Sequence, residues 1–62
     1  MNVKIARIRK GMTQEELAIA TGICRTIISR IENGDFTKLK FETMNKLAEV
    51  LDSTVKELFF TA

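Results

Sequence analysis

The chain has no histidine and only one cysteine, Cys24, among its 62 residues. Without imidazole ligands and with one thiol, the sequence has no side-chain set for a structural zinc ion and no pair for an internal disulfide. Its carboxylates are scattered, and it has no glycine-rich phosphate-binding loop. The sequence therefore predicts neither an enzyme nor a cofactor-binding protein, and the lone thiol favours a reducing cytoplasm.

Proline is also absent, and there are only three glycines, so no stretch has the composition of a linker or a low-complexity segment. No apolar run is long enough for a signal peptide or a membrane-spanning helix. We expect one domain over residues 1–62. Its core should be small, because so short a chain buries only about 60% of the surface that its unfolded form exposes.

Positive charge is concentrated in the first two thirds of the chain. Residues 1–40 carry eight Lys and Arg against four acids, whereas residues 41–62 carry two against four. The two parts therefore have charges of +4 and −2, which sum to the formal net charge of +2. A basic region of this kind suits contact with a phosphate backbone, with chance asymmetry in a small protein as the alternative.

Two short predicted helices joined by a tight turn dominate the centre of the chain. Thr13 precedes the first of them, and Glu16 follows three residues later, which is the spacing of a capping box. Gly22 comes directly after this helix, where a positive φ is expected. The second helix is predicted over residues 25–33 and closes at the Asn-Gly pair 33–34. Two helices joined by a short turn containing glycine are typical of a helix-turn-helix.

The second of these helices has two chemically different faces. Cys24, Ile28 and Ile31 share an apolar side at helical spacing. The opposite side carries hydrogen-bonding and guanidinium groups, from Thr26, Ser29, Arg30 and Asn33, with Arg25 at its N-terminal edge. Arginine matches the O6/N7 edge of guanine, and serine and threonine bond several base edges. An ordinary solvated helix face is the alternative interpretation.

The run Met12-Thr-Gln-Glu-Glu-Leu-Ala, then Thr21-Gly-Ile, then Arg25-Thr-Ile-Ile-Ser-Arg-Ile-Glu-Asn-Gly resembles the phage repressor/Cro-type helix-turn-helix, also called the XRE family. The likeness continues through residues 47–51 and 55–58. It implies an all-α, compact, five-helix lambda-repressor-like DNA-binding domain. It also implies a homodimer on a two-fold related operator in double-stranded DNA, and a prokaryotic or phage origin.

The same resemblance, read with the helix faces, assigns roles to individual residues. Base contacts are expected from Arg25, Thr26, Ser29 and Arg30. Phosphate contacts, which fix register without reading sequence, are expected from Gln14, Asn33, Thr37, Lys38 and Lys40. The resemblance also pairs Arg7 with Glu32 in a partly buried ion pair, with two separate surface residues as the alternative. A solvated loop over residues 35–40 and a plain exposed Gln14 are the alternatives.

Three further helices are expected to supply the rest of the core. The first covers residues 2–10, with Ile5, Ile8 and Met12 facing inward. The fourth covers about residues 41–51, with a core stripe of Phe41, Met44, Leu47, Ala48 and Leu51. The fifth is capped by Ser53 or Thr54 with Glu57 completing the box, and Val55, Leu58 and Phe59 face the core.

Three residues depart from these patterns. Cys24 stands where the family usually has a capping Ser or Thr, and we expect a semi-buried inert thiol, with a redox switch as the alternative. Ile27 stands where small polar residues are common, and it either packs on a neighbouring helix or touches a thymine methyl or the sugar backbone. Phe60 has no evident intramolecular partner, and we expect it in the dimer contact, with a frayed C-terminus as the alternative.

The sequence as a whole predicts a sequence-specific, DNA-binding transcriptional regulator that acts as a repressor. The alternative is a protein-interaction module, such as the antitoxin of a toxin–antitoxin pair. That alternative requires an additional toxin-binding segment, and almost nothing in the chain lies beyond Phe60. No small-molecule effector is evident.

Overall fold

The computed structural model describes residues 2–37 and 39–60 of the chain. These residues form five helices and no strand. In order they are α1 (Asn2–Arg9), α2 (Gln14–Thr21), α3 (Arg25–Glu32), α4 (Phe41–Val50) and α5 (Val55–Phe59). The predicted all-helical, five-helix fold is confirmed. No helix in the described residues is long and apolar enough to cross a membrane.

Local side-chain caps begin two of these helices, as the sequence predicts. The Thr13 hydroxyl accepts from the Glu16 N–H at 3.0 Å, and the Glu16 carboxylate accepts from the Thr13 N–H at 2.8 Å. The Thr54 hydroxyl accepts from the Glu57 N–H at 3.1 Å, so Thr54 rather than Ser53 caps α5. Each cap satisfies backbone donors that have no partner inside the helix.

The ends of α3 and α4 share one hydrogen-bonding pattern around a residue with positive φ. Gly34, at φ 87°, follows α3, and the next N–H donates to the Arg30 carbonyl at 2.8 Å. Asp52, at φ 51°, follows α4, and the Ser53 N–H donates to the Ala48 carbonyl at 2.9 Å. These are Schellman motifs, which turn the chain sharply while satisfying the last carbonyls. Aspartate tolerates this conformation better than most residues with a Cβ.

The core lies where all five helices meet. Its buried side chains are Val3, Leu17, Ile28, Ile31, Leu47, Ala48, Leu51 and Leu58. The α2 helix packs against α3 and α4, α1 packs against α3 and α5, and α4 packs against α5. The α3 helix is therefore held by α1 and α2, which leaves its remaining surface open.

The predicted inward face of α1 is wrong. Ile5 is 46% exposed and Ile8 is 57% exposed, whereas Val3 is 2% exposed and Ala6 packs against the core. Val3 and Ala6 lie on the opposite side of the helix from the two isoleucines. Of the three predicted residues only Met12, in the turn after α1, packs against the core.

The core stripe of α4 is shorter than predicted. Leu47, Ala48 and Leu51 are buried as expected, and Met44 is half-buried. Phe41 is 65% exposed, which contradicts the prediction. The buried side chains of α4 are confined to its C-terminal half, so its first residue lies beyond the core.

The three core residues predicted for α5 do pack inward. Leu58 is buried, and Val55 and Phe59 are half-buried against the core. The Phe59 ring also meets Phe36 edge to face, with centroids 5.6 Å apart. This contact holds the segment after α3 against α5.

Candidate functional site

The turn between α2 and α3 sets the angle of α3. Gly22 has φ 72°, as predicted, and its N–H donates to the Ala18 carbonyl at 2.9 Å. The buried Thr21 hydroxyl donates to the Leu17 carbonyl at 2.7 Å and accepts from the Ile23 N–H at 3.2 Å. Thr21 therefore links the end of α2 to the start of the turn. The sequence predicted no such role for Thr21.

The two faces of α3 differ in burial as predicted. Ile28 and Ile31 are buried, and Glu32 lies beside them at 4% exposure. Four polar residues of the opposite side are exposed, namely Arg25, Thr26, Arg30 and Asn33, while Ser29 is half-buried. The helix thus presents hydrogen-bonding groups to solvent along its whole length.

Two surface depressions border this polar face, one on each side. The first lies between the start of α2 and α3, and its lining includes Gln14, Arg25, Thr26, Ser29 and Arg30. It brings together the four predicted base-contacting residues and one predicted phosphate contact.

The second depression lies between α3 and the segment leading to α4. Its lining includes Cys24, Ile27, Arg30, Thr37 and Lys40. Arg30 borders both depressions, so it stands on the ridge between them. Thr37 and Lys40 are therefore close to α3, as phosphate anchors would need to be. Lys38, a third predicted phosphate contact, lies outside the described residues.

A partly buried ion pair holds α3 in place. Arg7 Nε donates to Glu32 Oε2 at 2.7 Å, and Arg7 Nη2 donates to Glu32 Oε1 at 3.2 Å. Arg7 Nη1 donates to the Met12 carbonyl at 2.7 Å. The structure thus contains the pair expected between α1 and α3, and the guanidinium also fixes the turn that leads to α2.

Gln14 completes the set of donors to Glu32. Its amide nitrogen donates to Glu32 Oε1 at 3.1 Å. Burial alone raises the pKa of Glu32, but the hydrogen bonds from Arg7 and Gln14 outweigh it and leave that pKa below its ordinary value. Part of the Gln14 side chain is therefore used within the protein, where it bonds to a buried carboxylate. No local sequence signal indicates this contact between residues 18 positions apart.

The cations among the described residues fall into two groups, those paired with a carboxylate and those without such a partner. Arg7, Lys10 and Lys46 are bonded to Glu32, Asp52 and Glu49, respectively. Within residues 2–37 and 39–60, Arg25 and Arg30 form no salt bridge. Unpaired guanidinium groups leave their charge and donors available for an anionic ligand.

The segment after α3 is shaped by a carboxylate that sequence reasoning did not select. Asp35 Oδ1 accepts from the Thr37 N–H at 3.0 Å, which forms an Asx turn. Hydrogen bonds from the Thr37 side chain and backbone are the main reason that the pKa of Asp35 is lowered. Asp35 also lines the second depression beside Arg30, where its charge opposes binding of an anion. The sequence signal for this Asx turn is an aspartate in a loop, because its side chain can accept from the N–H two residues later.

Cys24 is exposed, so the predicted semi-buried thiol is wrong. It precedes α3 but makes no side-chain capping hydrogen bond. The Thr26 N–H and hydroxyl are the main cause of a lowered pKa for the thiol, with a smaller effect from the Ile27 N–H. A free N-terminal turn stabilises a thiolate, and α3 lacks the side-chain cap that a hydroxyl supplies.

Comparison with known proteins adds to this geometry. The helix-turn-helix family profile matches residues 3–58. The chain is 30% identical over 57 residues to the HTH-type transcriptional regulator SlrR of Bacillus subtilis (strain 168). That match covers 92% of this chain and 38% of the relative, so the chain spans well under half the length of SlrR. No solved structure matches the chain significantly.

Proposed function

Because this chain belongs to the helix-turn-helix family, we propose that it is a sequence-specific regulator of transcription that binds double-stranded DNA. The α3 helix enters the major groove, with Arg25, Thr26, Ser29 and Arg30 toward the base edges. Gln14, Asn33, Thr37 and Lys40 contact phosphates on either side, and we extend the same role to Lys38. No reaction is catalysed.

One observation carries this proposal: α3 buries Ile28 and Ile31, while its exposed side carries two arginines that form no salt bridge with any other described residue. Exposed guanidinium groups without a carboxylate partner can bind an anionic ligand along this face. Duplex DNA supplies both their ligands, since phosphates attract the charge and guanine accepts a bidentate arginine. The similarity to SlrR, a transcriptional regulator, supports the same function.

We further propose that two copies bind a two-fold related operator. One α3 helix of eight residues reads only a few base pairs, so specificity requires a second half-site about 34 Å away along the duplex. We propose repression as the mode of regulation, in which the dimer covers a promoter and excludes polymerase from it. Phe60 is 67% exposed at the end of α5, and we place it in the contact between the copies.

Selection from random duplex DNA tests the base-reading function. We expect an enriched two-fold related sequence whose half-sites lie one duplex turn apart. Binding to that sequence should weaken steeply as the salt concentration increases. For each phosphate contacted, a tenfold increase in salt should lower the logarithm of the binding constant by about 0.9. If the DNA bound at low salt showed no enriched sequence, the proposal would be refuted.

A separate experiment tests the dimer. Phe60→Ser should weaken self-association in sedimentation, because it removes an apolar group from the contact. Phe41→Ser is a matched control, since Phe41 is 65% exposed on another helix. Equal mass distributions for the two variants and the parent protein would remove Phe60 from the interface.

A further inference from the structure

Ile27 occupies an unusual position on α3. It is 43% exposed, although Ile28 and Ile31 on the same helix are almost completely buried. It lies roughly 60° around the helix from Arg30, on the side away from the first depression. Both residues line the second depression, which Lys40 also borders. Ile27 therefore stands between the arginine ridge and a predicted phosphate anchor.

The side chain has properties that suit contact with an apolar group outside the protein. Isoleucine is branched at Cβ, so it keeps one preferred rotamer in a helix and presents its methyl groups in a fixed direction. An exposed β-branched residue contributes little to helix formation compared with a straight side chain. Leaving it partly open to solvent also gives up hydrophobic stabilisation. Exposure alone does not distinguish this residue, since Ile5, Ile8 and Ile19 are more exposed. Its place beside Arg30 and Lys40 at the second depression is what indicates a ligand for its exposed methyl groups.

Within the proposed function, the major groove offers one apolar group, the 5-methyl of thymine. Side chains three residues apart on a helix lie about 5–6 Å from each other, and successive base pairs are separated by about 3.4 Å. A base contacted by Ile27 is therefore one or two steps from a base contacted by Arg30. The remaining acceptors and donors of the groove are unsuitable partners for an alkyl side chain.

We propose that Ile27 is a specificity-determining residue that selects thymine through its methyl group, beside a guanine bound by Arg30. This inference rests on the proposed DNA-binding function. It assigns to the operator a thymine at a defined distance from the arginine-bound base. It also gives the apolar edge of α3 a role in recognition that is separate from its packing.

Uracil replacement tests the contact at the level of one methyl group. The operator obtained by selection is resynthesised with each thymine of a half-site replaced by uracil in turn, and affinity is measured by fluorescence anisotropy. We expect one replacement to weaken binding about four-fold, which corresponds to burial of one methyl group. With Ile27→Ala, that position should bind thymine and uracil equally, whereas Ile27→Val should retain a preference.

Ile19→Ala is the matched control, because Ile19 is also an exposed isoleucine, at 78%, but lies on α2. On uracil replacement this variant should lose as much affinity as the parent protein does. A half-site with no uracil-sensitive thymine, or equal sensitivity in Ile27→Ala and the parent protein, would overturn the inference while leaving sequence-specific binding intact. Failure of the selection itself would refute the proposed function, and the inference with it.

Discussion

Removing either partner of the Arg7–Glu32 pair should destabilise the domain severely. The two side chains are 12% and 3% exposed, so the remaining charge would be left where water solvates it poorly. Breaking such a pair costs about 3–5 kcal/mol. A domain of 62 residues is stable by roughly 3–9 kcal/mol at the usual contribution per residue. We therefore expect Arg7→Met and Glu32→Leu each to lose at least about a third of the domain's free energy of unfolding.

The double variant should behave differently from either single variant. With both charges replaced by apolar groups of similar volume, no uncompensated ion remains, and such replacements are often neutral. Gln14 is only half-buried, so its amide can bond to water once Glu32 is absent. We expect the double variant to be at least about 2 kcal/mol more stable than either single variant.

The Lys10–Asp52 pair provides a matched control within the same chain. Its side chains are 40% and 76% exposed, and Asp52→Asn preserves a residue that tolerates positive φ. Lys10→Met and Asp52→Asn should each cost only about 0–1 kcal/mol. Urea unfolding followed by far-UV circular dichroism measures all variants, since the chain has no Trp or Tyr to report by fluorescence. The reasoning would be refuted if the single variants at the two pairs lost equal free energies of unfolding. It would also be refuted if the losses of Arg7→Met and Glu32→Leu simply added in the double variant.

The same pair predicts the direction of acid sensitivity. The pKa of Glu32 is lower in the folded protein than in the unfolded chain. Its stabilisation is therefore fully present above the unfolded value of about 4.3 and is lost as pH falls through the folded pKa. Unfolding free energies of the parent protein should decrease below about pH 4 more steeply than those of the Arg7→Met/Glu32→Leu variant.

Three further predictions concern the recognition surface. Arg30→Ala should weaken binding by about 1–3 kcal/mol and relax preference at one base pair, whereas Lys40→Ala should weaken all sequences alike. Competition gels distinguish the two, and unchanged selectivity with Arg30→Ala would contradict its role. Cys24→Ser should raise Tm by a few degrees because it supplies the missing cap of α3; an unchanged melting curve would show that the helix start needs none. Asp35→Asn keeps the Asx turn but removes a negative charge beside Arg30, so it should tighten binding to every duplex, with the gain shrinking as salt increases. Anisotropy titrations at two salt concentrations check this last effect, which a salt-independent change would contradict.

The wrong prediction for α1 concerns which side of the helix is buried. The first helix has two apolar stripes, one containing Ile5 and Ile8 and the other containing Val3. The larger side chains favoured the first stripe, yet Arg7 lies on the same side as Val3. A pair between Arg7 and Glu32 therefore requires Val3 to face inward. The inward-facing isoleucines and the Arg7–Glu32 pair were therefore incompatible predictions, and the structure contains the ion pair.

The sequence by itself determined the features that depend on residues a few positions apart. These are the capping box at Thr13, the positive φ of Gly22 and the two-faced character of α3, because each is settled within one or two helical turns. The polar side of α3 could thus be located in advance, and its binding roles remain predictions.

Only the tertiary structure decided which stripe of α1 is buried, that Gln14 bonds to Glu32, and that Cys24 is exposed. Each of these depends on how distant helices come together. A short helix with apolar side chains on both sides can pack either way until its neighbours are in place. The burial of a charge such as Glu32 is tolerable only because donors from two other helices reach it.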